Sequence, residues 1–439
     1  MAFRLLFPSL EREIRNLLTE KAEEQAIKVF SKNLKGLLLQ PPVKDKVVLG
    51  FDPAYRTGCK LAVIDPSGKL LDWGVCYPTP PQNKVKESEE MLVNLIKKYK
   101  IDIIALGNGT ASRESELFLA ELIGKIKRPI SYVIVSEAGA SVYSASKLAT
   151  EELPDIDVSF RGAVSIGRRL QDPLAELVKI TPKALGVGQY QHDINQKMLS
   201  EKLTEVVEDV VNSVGIDVNT ASPALLAYVS GITASVAKNI VEYREENGGI
   251  SSRKELLKIP RLGPKTFEQC AGFLRVTESK NILDNTAVHP ESYEAAEKIL
   301  EIYSLEDLRS KAFLPKELND LSALVDIGLL TLQDILKELS KPGRDPRDEL
   351  PPPVFRTDVL KMEDLKTDMI LFGTVRNITD FGAFIDIGVG QDGLAHISEL
   401  SEQFVHSPFE VVSVGDTVKV RILSVDLDQE RISLSLKDC

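Results

Sequence analysis

Between residues 47 and 135 the hydrophobic period of the chain changes repeatedly, and those changes predict its elements. Val47–Phe51, Lys60–Asp65 and Leu70–Val75 are short β-forming runs separated by turn signals such as Asp65-Pro-Ser-Gly68. A helical period follows over Val85–Lys98, then a strand at Ile103–Leu106, a helix near Glu114–Ile126 and a strand at Tyr132–Val135. Helices run from about Ala138 to Lys179, the last of them over Ser165–Lys179. Three strands followed by alternating helix and strand predict a layered α/β sheet over residues 45–180. Residues 1–44 read as a charged helical lead ending at Pro41-Pro42, like the last helix of something larger, so the sequence is expected to be a C-terminal portion or a split product. Residues 195–276 and 277–340 are helical, and 341–365 is a proline-rich polar linker. Residues 366–439 return to short β runs punctuated by Gly373, Gly382, Gly388 and Gly393, the pattern of a small barrel. The expected fold class is multidomain: α/β, then all-α, then all-β.

The barrel segment carries the most specific chemistry. Phe381 and Phe384 lie three apart around a Gly-Ala corner, so they do not alternate as ordinary strand positions, and His396 follows twelve residues after Phe384. Two aromatic rings and an imidazole on one face form a stacking platform for unpaired bases, worth roughly 1–3 kcal/mol per stacked base. The competing reading is that both rings fill the barrel core. With Val414-Gly-Asp-Thr-Val-Lys-Val-Arg421 and Arg431-Ile-Ser-Leu-Ser-Leu436, the segment resembles the ribosomal S1-type RNA-binding domain, a five-stranded OB-fold barrel. The resemblance implies that Phe381, Phe384, His396 and Arg431 line a nucleic-acid face, with Asp426 a weaker candidate. The segment holds more acidic than basic residues, so stacking and a few placed cations must carry the binding.

The α/β segment opens with Leu49-Gly-Phe-Asp-Pro-Ala-Tyr-Arg-Thr-Gly58, which puts Asp52 at the end of the first strand. That layout resembles the ribonuclease H-like fold, more narrowly the YqgF branch related to RuvC resolvase. Those nucleases hold two Mg²⁺ ions with three or four carboxylates, which clamp the attacking and leaving oxygens. Asp52, Glu137 and Asp172 are the candidate ligands here. Asn108 stands where the resolvase pattern has a Glu, Asn is a poor Mg²⁺ ligand, and Asp-Pro-Ala replaces the usual Asp-Pro-Gly. The expectation is a degenerate, non-catalytic pocket with no cofactor, in which Arg56, Thr110 and Ser112 bind a phosphate or a partner's backbone. Mg²⁺ enters only if a structure-selective nuclease survives.

The helical segment repeats one device. Leu225–Ile240 reads as helix, hairpin around Gly231, and helix; Leu256–Cys270 repeats it around Gly263, and a weaker copy, read as structural, lies at Val325–Asp334. Such hairpins present backbone N–H groups at the start of the second helix and grip phosphates without reading sequence. The pair, about thirty residues apart, resembles the helix-hairpin-helix domain of non-specific DNA binders, with Thr233 and Arg261 each replacing a glycine of the usual Gly-hydrophobic-Gly. Arg253, Lys254, Lys258, Arg261, Lys265 and Arg275 make the second hairpin the more basic one. Compact helix turns that merely pack a core are the alternative. The glycines of Gly186-Val-Gly-Gln-Tyr-Gln-His-Asp193 make no phosphate loop, and His192 reads as an ordinary loop residue.

Composition narrows the picture. A net charge of −11 excludes a basic nucleic-acid coat, so contacts must be local. Four cysteines (Cys59, Cys76, Cys270, Cys439) without metal-ligand spacing fit a reducing cytoplasm, and no apolar run of about 18 residues suggests a membrane. In order, the segments resemble the Tex family of bacterial transcription accessory proteins, whose core eukaryotic elongation factors of the Spt six type share. That resemblance implies a scaffold of low sequence specificity that binds RNA, DNA or both near the transcription machinery. A nuclease and a protein-interaction hub are the rivals.

Overall fold

The alternation over residues 48–135 folds as a five-stranded sheet in a computed structural model of the chain, which describes all residues except 1, 311–312, 358–364, 390, 428 and 438. The helical lead, α1 (Ala2–Leu38), buries Ile27, Phe30, Leu34 and Leu38. β1 (Val48–Asp52), β2 (Cys59–Ile64) and β3 (Leu70–Cys76) form an antiparallel meander. β4 (Ile103–Gly107) and β5 (Ser131–Val135) join in parallel on the other side of β1, giving the order β3-β2-β1-β4-β5. This is the topology of the ribonuclease H-like fold. β1, β2 and β4 are buried almost throughout because helices cover both faces. On one face α2 (Val85–Tyr99) and α3 (Ser112–Lys125) contribute Leu92 and Leu119 to a core with Leu49, Phe51 and Leu106.

The short α4 (Ala140–Ser144) and α5 (Lys147–Glu152) lead to α6 (Val158–Gln171), which covers the other face with Val164, Ile166 and Leu170. Glycine sets how close α6 comes. A Cβ on Gly50 would stand 2.0 Å from the Ala163 carbonyl oxygen, and one on Gly167 2.4 Å from Ile64 Cδ1. The helix expected over Ser165–Lys179 is broken. α6 ends at Gln171, and Asp172 caps α7 (Pro173–Leu177) by accepting from the Ala175 N–H at 3.1 Å. Pro173 suits the first position of a new helix, where no N–H is needed.

Val207–Glu349 form a separate helical unit, whereas 1–206 and 350–439 form the other. α8 (Gln196–Val214) leads into β6 (Ile216–Asp217), α9 (Pro223–Leu226), α10 (Ala234–Asn247), α11 (Pro264–Cys270) and β7 (Leu274–Arg275). α12 (Tyr293–Ile302), α13 (Leu305–Ser310), α14 (Pro315–Val325) and α15 (Leu329–Ser340) follow. The hairpin device occurs three times here with the same backbone grammar. A left-handed residue (Gly231, φ +80; Arg261, φ +66; Asp326, φ +55) precedes a hydrophobic one, and then Thr233, Gly263 or Gly328 starts the next helix. The copy at 325–334 is therefore a complete hairpin.

The last strands close into a barrel in the order β10-β12-β11-β8-β9: β8 (Ile370–Thr379), β9 (Gly382–Asp386), β10 (Gly393–His396), β11 (Thr417–Asp426) and β12 (Arg431–Ser435). Val375, Ile385, Ala395, Val420, Ile422 and Leu434 fill it. This is a closed five-stranded barrel of the OB type. Among the described residues, no helix is long and apolar enough to cross a membrane.

Candidate nucleic-acid interface

The β8–β9 corner positions the aromatic pair. Phe381 is 50% exposed and Phe384 half-buried, with ring centroids 6.1 Å apart and planes at 86°, an edge-to-face arrangement. Neither ring belongs to the barrel core, so the core-filling alternative does not hold. β10 pairs with β9 so that His396 lies opposite Gly382 and Leu394 opposite Phe384. A Cβ on Gly382 would stand 2.3 Å from the Ala395 carbonyl oxygen, so only glycine lets the strands close here. His396 is exposed, and its Nδ1 lies 2.9 Å from Ser398 Oγ, which fixes the ring. β12 continues the surface, with Ser433 opposite Leu394 and Arg431 exposed two positions earlier on the same outward parity. Asp426 is the register partner of Arg431 on β11. Phe381, Phe384 and His396 thus come together, and Arg431 stands diagonally across the face. The sequence reading passed over Phe404, 85% exposed and edge-on to His406 at 4.9 Å; its signal was an aromatic and an imidazole two apart in a polar loop.

The barrel is anchored on two sides. Arg356 pairs through its backbone with Tyr132 at the edge of β5, with N–H to oxygen distances of 2.8 and 2.9 Å. Its guanidinium reaches Glu116 at 3.3 Å on α3 and Asp386 at 3.4 Å on β9. Arg113 extends this ion chain at one end, 2.9 Å from Glu116, and Arg376 at the other, 2.7 Å from Asp386. Burial works against the Asp386 carboxylate, but Arg356 and Arg376 hold its pKa below the usual range. On the other side α1 meets the barrel: a Cβ on Gly36 would stand 2.7 Å from the Val414 carbonyl oxygen, and Lys32 Nζ lies 5.8 Å from the centre of the Phe409 ring.

The carboxylate pocket is different in kind. Asp52 ends β1, and its register partner on β2 is Lys60. Burial, and then Glu137, push the Asp52 carboxyl up to about 6, with Lys60 opposing them. Lys60 is itself desolvated, and its Nζ donates to the Thr57 and Gly58 carbonyls at 2.6 Å each. From α6, Gly162 faces Asp52: a Cβ there would stand 2.8 Å from Asp52 Oδ2. Glu137 is folded under the β4 loop, where a Cβ on Gly109 would collide with its carboxylate, and Asn108 Oδ1 accepts from the Glu137 N–H at 3.1 Å. Asp172 is engaged as the α7 cap. The chain turns at Asp172-Pro173 rather than continuing as helix, so Asp172 sits at the junction of α6 and α7 and not inside the expected long helix. Around Asp52 stand the Glu137 carboxylate, the Lys60 ammonium and Gly162, and one acidic neighbour opposed by an ammonium does not make the three- or four-carboxylate set that two Mg²⁺ ions need. Among the described residues, no group of three or more His, Cys, Asp or Glu is placed to hold a metal. Arg56 stands on the loop after β1, Thr110 on the loop after β4, and Ser112 begins α3.

In the helical unit the basic cluster divides in two. Arg253 is fully buried; its guanidinium donates to the carbonyls of Leu274 (2.7 Å), Val288 (2.7 Å) and Thr286, and to the Tyr293 hydroxyl (2.8 Å). Arg275 is also buried and donates to the Arg344 carbonyl at 2.6 Å. These two are structural and leave the expected phosphate grip. Lys258, Arg261 and Lys265 are exposed around Gly263, and Gly231 and Thr233 are exposed at the first hairpin. Thr233 Oγ1 caps α10 by accepting from the Val236 N–H at 3.4 Å.

Known proteins show the same succession of parts. Family models match in order: the Tex protein YqgF-like domain over residues 46–171, a helix-hairpin-helix motif over 211–275, an HHH domain over 281–347 and the S1 RNA binding domain over 364–437. The uncharacterized protein YdcI of Bacillus subtilis is 57% identical over 99% of this chain and 61% of its own length. Protein tex of Bordetella pertussis is 51% identical over 98% of this chain and 55% of its own. The transcriptional accessory protein Tex of Neisseria gonorrhoeae is 52% identical over 98% of this chain and 57% of its own. The chain thus spans between 55% and 61% of the length of these relatives.

Proposed function

This chain belongs to the Tex family, and on that premise we propose that it is a nucleic-acid-binding scaffold serving transcription, with single-stranded RNA as its first ligand. The observation that carries this reading is the exposed edge-to-face pair Phe381–Phe384 beside His396 on the outward surface of a closed barrel. Unpaired bases stack on such rings whatever their identity, so the expected sequence preference is weak. Arg431 supplies a cation at the far end of the face. The exposed Lys258, Arg261 and Lys265, with the hairpin turns at Gly231–Thr233 and Gly263, add phosphate contacts, to DNA as well as RNA. The transcription machinery is the proposed partner, as the name of the Neisseria relative suggests.

The test is fluorescence anisotropy with labelled single-stranded RNA across a salt series. Phe381→Ala/Phe384→Ala should weaken binding roughly five- to two-hundredfold, the range for one lost stacked base. The salt slope should stay nearly unchanged, because no phosphate contact is removed. Unaltered affinity would overturn the assignment of the barrel as the main contact.

A further inference from the structure

The stacking pair opens into a cleft of about 950 Å³, walled by the barrel on one side and by the sheet edge and α1 on the other. We propose that this cleft receives the continuation of the RNA strand stacked on Phe381 and Phe384, so that barrel, ribonuclease H-like sheet and α1 form one nucleic-acid site. The inference rests on the barrel reading above and extends it to walls outside the barrel.

Four observations carry it. The cleft is continuous with the platform, since Phe381 and Phe384 line its barrel wall. A base stacked there has its neighbour at the cleft mouth. Side-chain amides come from every wall: Asn33 from α1, Gln40 just after it, Asn108 just past β4, Gln189 from the loop before α8 and Asn377 from β8. An amide carries both a donor and an acceptor and so matches the edges of unpaired bases. Two of them are already oriented: Asn33 Nδ2 donates to the Val187 carbonyl at 2.9 Å, and Asn108 Oδ1 accepts from Glu137.

The charge there also runs against the rest of the chain. Arg169, Arg356 and Arg376 line the cleft against Asp386 and Asp392, three cations to two anions in a protein of net charge −11. Arg169 is only 4% exposed; its Nη1 donates to the Ser136 and Ala138 carbonyls at 2.7 and 2.8 Å, while Nε and Nη2 have no hydrogen-bond partner. These nitrogens are shielded from solvent beside Glu176 and Glu137, and what the guanidinium brings to the lining of the cleft is positive charge, which favours a phosphate-bearing occupant. Finally, the walls are held in place by the Arg356 ion chain and by the Gly36–Val414 approach, so the cleft belongs to the fold. Its volume lies at the upper end of ordinary ligand sites, roughly 300–1,000 Å³.

The experiment uses the full chain with labelled oligouridine of roughly 4 and roughly 16 nucleotides, the two ends of the site sizes of one OB barrel. Gln189→Glu/Asn377→Asp places a carboxylate on each wall at exposed positions outside the packed core. The expected result is roughly tenfold or greater weakening on the long RNA and little change on the short one, because only the long strand reaches the cleft. Circular dichroism melts of the double variant check that it folds as the parent does. Equal binding of both lengths by variant and parent would overturn the cleft while leaving the barrel reading intact. If Phe381→Ala/Phe384→Ala also leaves the short RNA bound as before, the barrel reading fails, and this inference with it.

Discussion

Replacing Asp52 with Asn should stabilise the sheet at neutral pH. Asp52 titrates near 6 in the folded chain against 3.8 ordinarily, because burial and then Glu137 disfavour its charge. A gap of about two units at ~1.4 kcal/mol each makes the ionised carboxylate cost about 3 kcal/mol at pH 7. The sign follows from proton counting. Between pH 3.8 and about 6 the folded state holds a proton that the unfolded state has released, so stability falls as pH rises through that window. Above it the penalty is constant, and below it the penalty vanishes. Asp52→Asn removes the charge while keeping the shape. It should therefore gain up to about 3 kcal/mol at pH 7 and almost nothing near pH 3.5. The attraction of Lys60 is already contained in that value, and the ammonium keeps the Thr57 and Gly58 carbonyls when the charge is removed. The single tryptophan, Trp73, lies on β3 of the same sheet, so its fluorescence during urea unfolding reads this unit directly. A variant less stable than the parent at pH 7, or one whose gain does not shrink on acidification, would refute the reasoning. It would mean that the folded chain stabilises the Asp52 carboxylate.

Two further predictions concern the hairpins. Arg253→Met should cost roughly 3–5 kcal/mol, since it strands the carbonyls of Leu274, Thr286 and Val288 without a donor; the far-ultraviolet melt of the helical unit reads the loss. Arg261→Gly relieves a side chain held at φ +66, so the melt should show the chain unchanged or more stable by up to about 1 kcal/mol. A clear loss would mean that the Arg261 side chain holds the turn together.

What could be read from the sequence was whatever local spacing encodes. The strands of the sheet lie within a residue or two of their expected ends, because β-branched runs and Asp-Pro-Ser-Gly turns mark them. Phe384 and His396 share one face of the β9–β10 ladder, two register positions apart, because the chain folds the one strand back onto the other. The third hairpin was legible from the same spacing as the first two. Asp172 was misread although the signal was present, an Asp followed by Pro, which is a cap and a first helical residue. Lys60 beside Asp52 was also within reach, since antiparallel pairing of β1 and β2 across the short loop 53–58 sets them opposite each other. Arg253 was not. Nothing near it in sequence reveals that carbonyls 21 to 35 residues downstream converge on its guanidinium. Arg356 was equally silent, a single arginine after three prolines whose partners lie 240 residues before it and 30 after.

That arginine also settles a problem of solubility. β5 is the outer strand of its sheet, and an outer strand offers unpaired N–H and carbonyl groups to any other extended chain. Arg356 occupies those groups at Tyr132 with its own backbone, while its side chain holds the barrel. One residue is therefore both the cap on a sticky edge and the barrel's tether. A barrel pulled away from the sheet would uncover the edge in the same movement, so keeping the barrel docked and keeping the sheet from pairing with its neighbours are a single requirement.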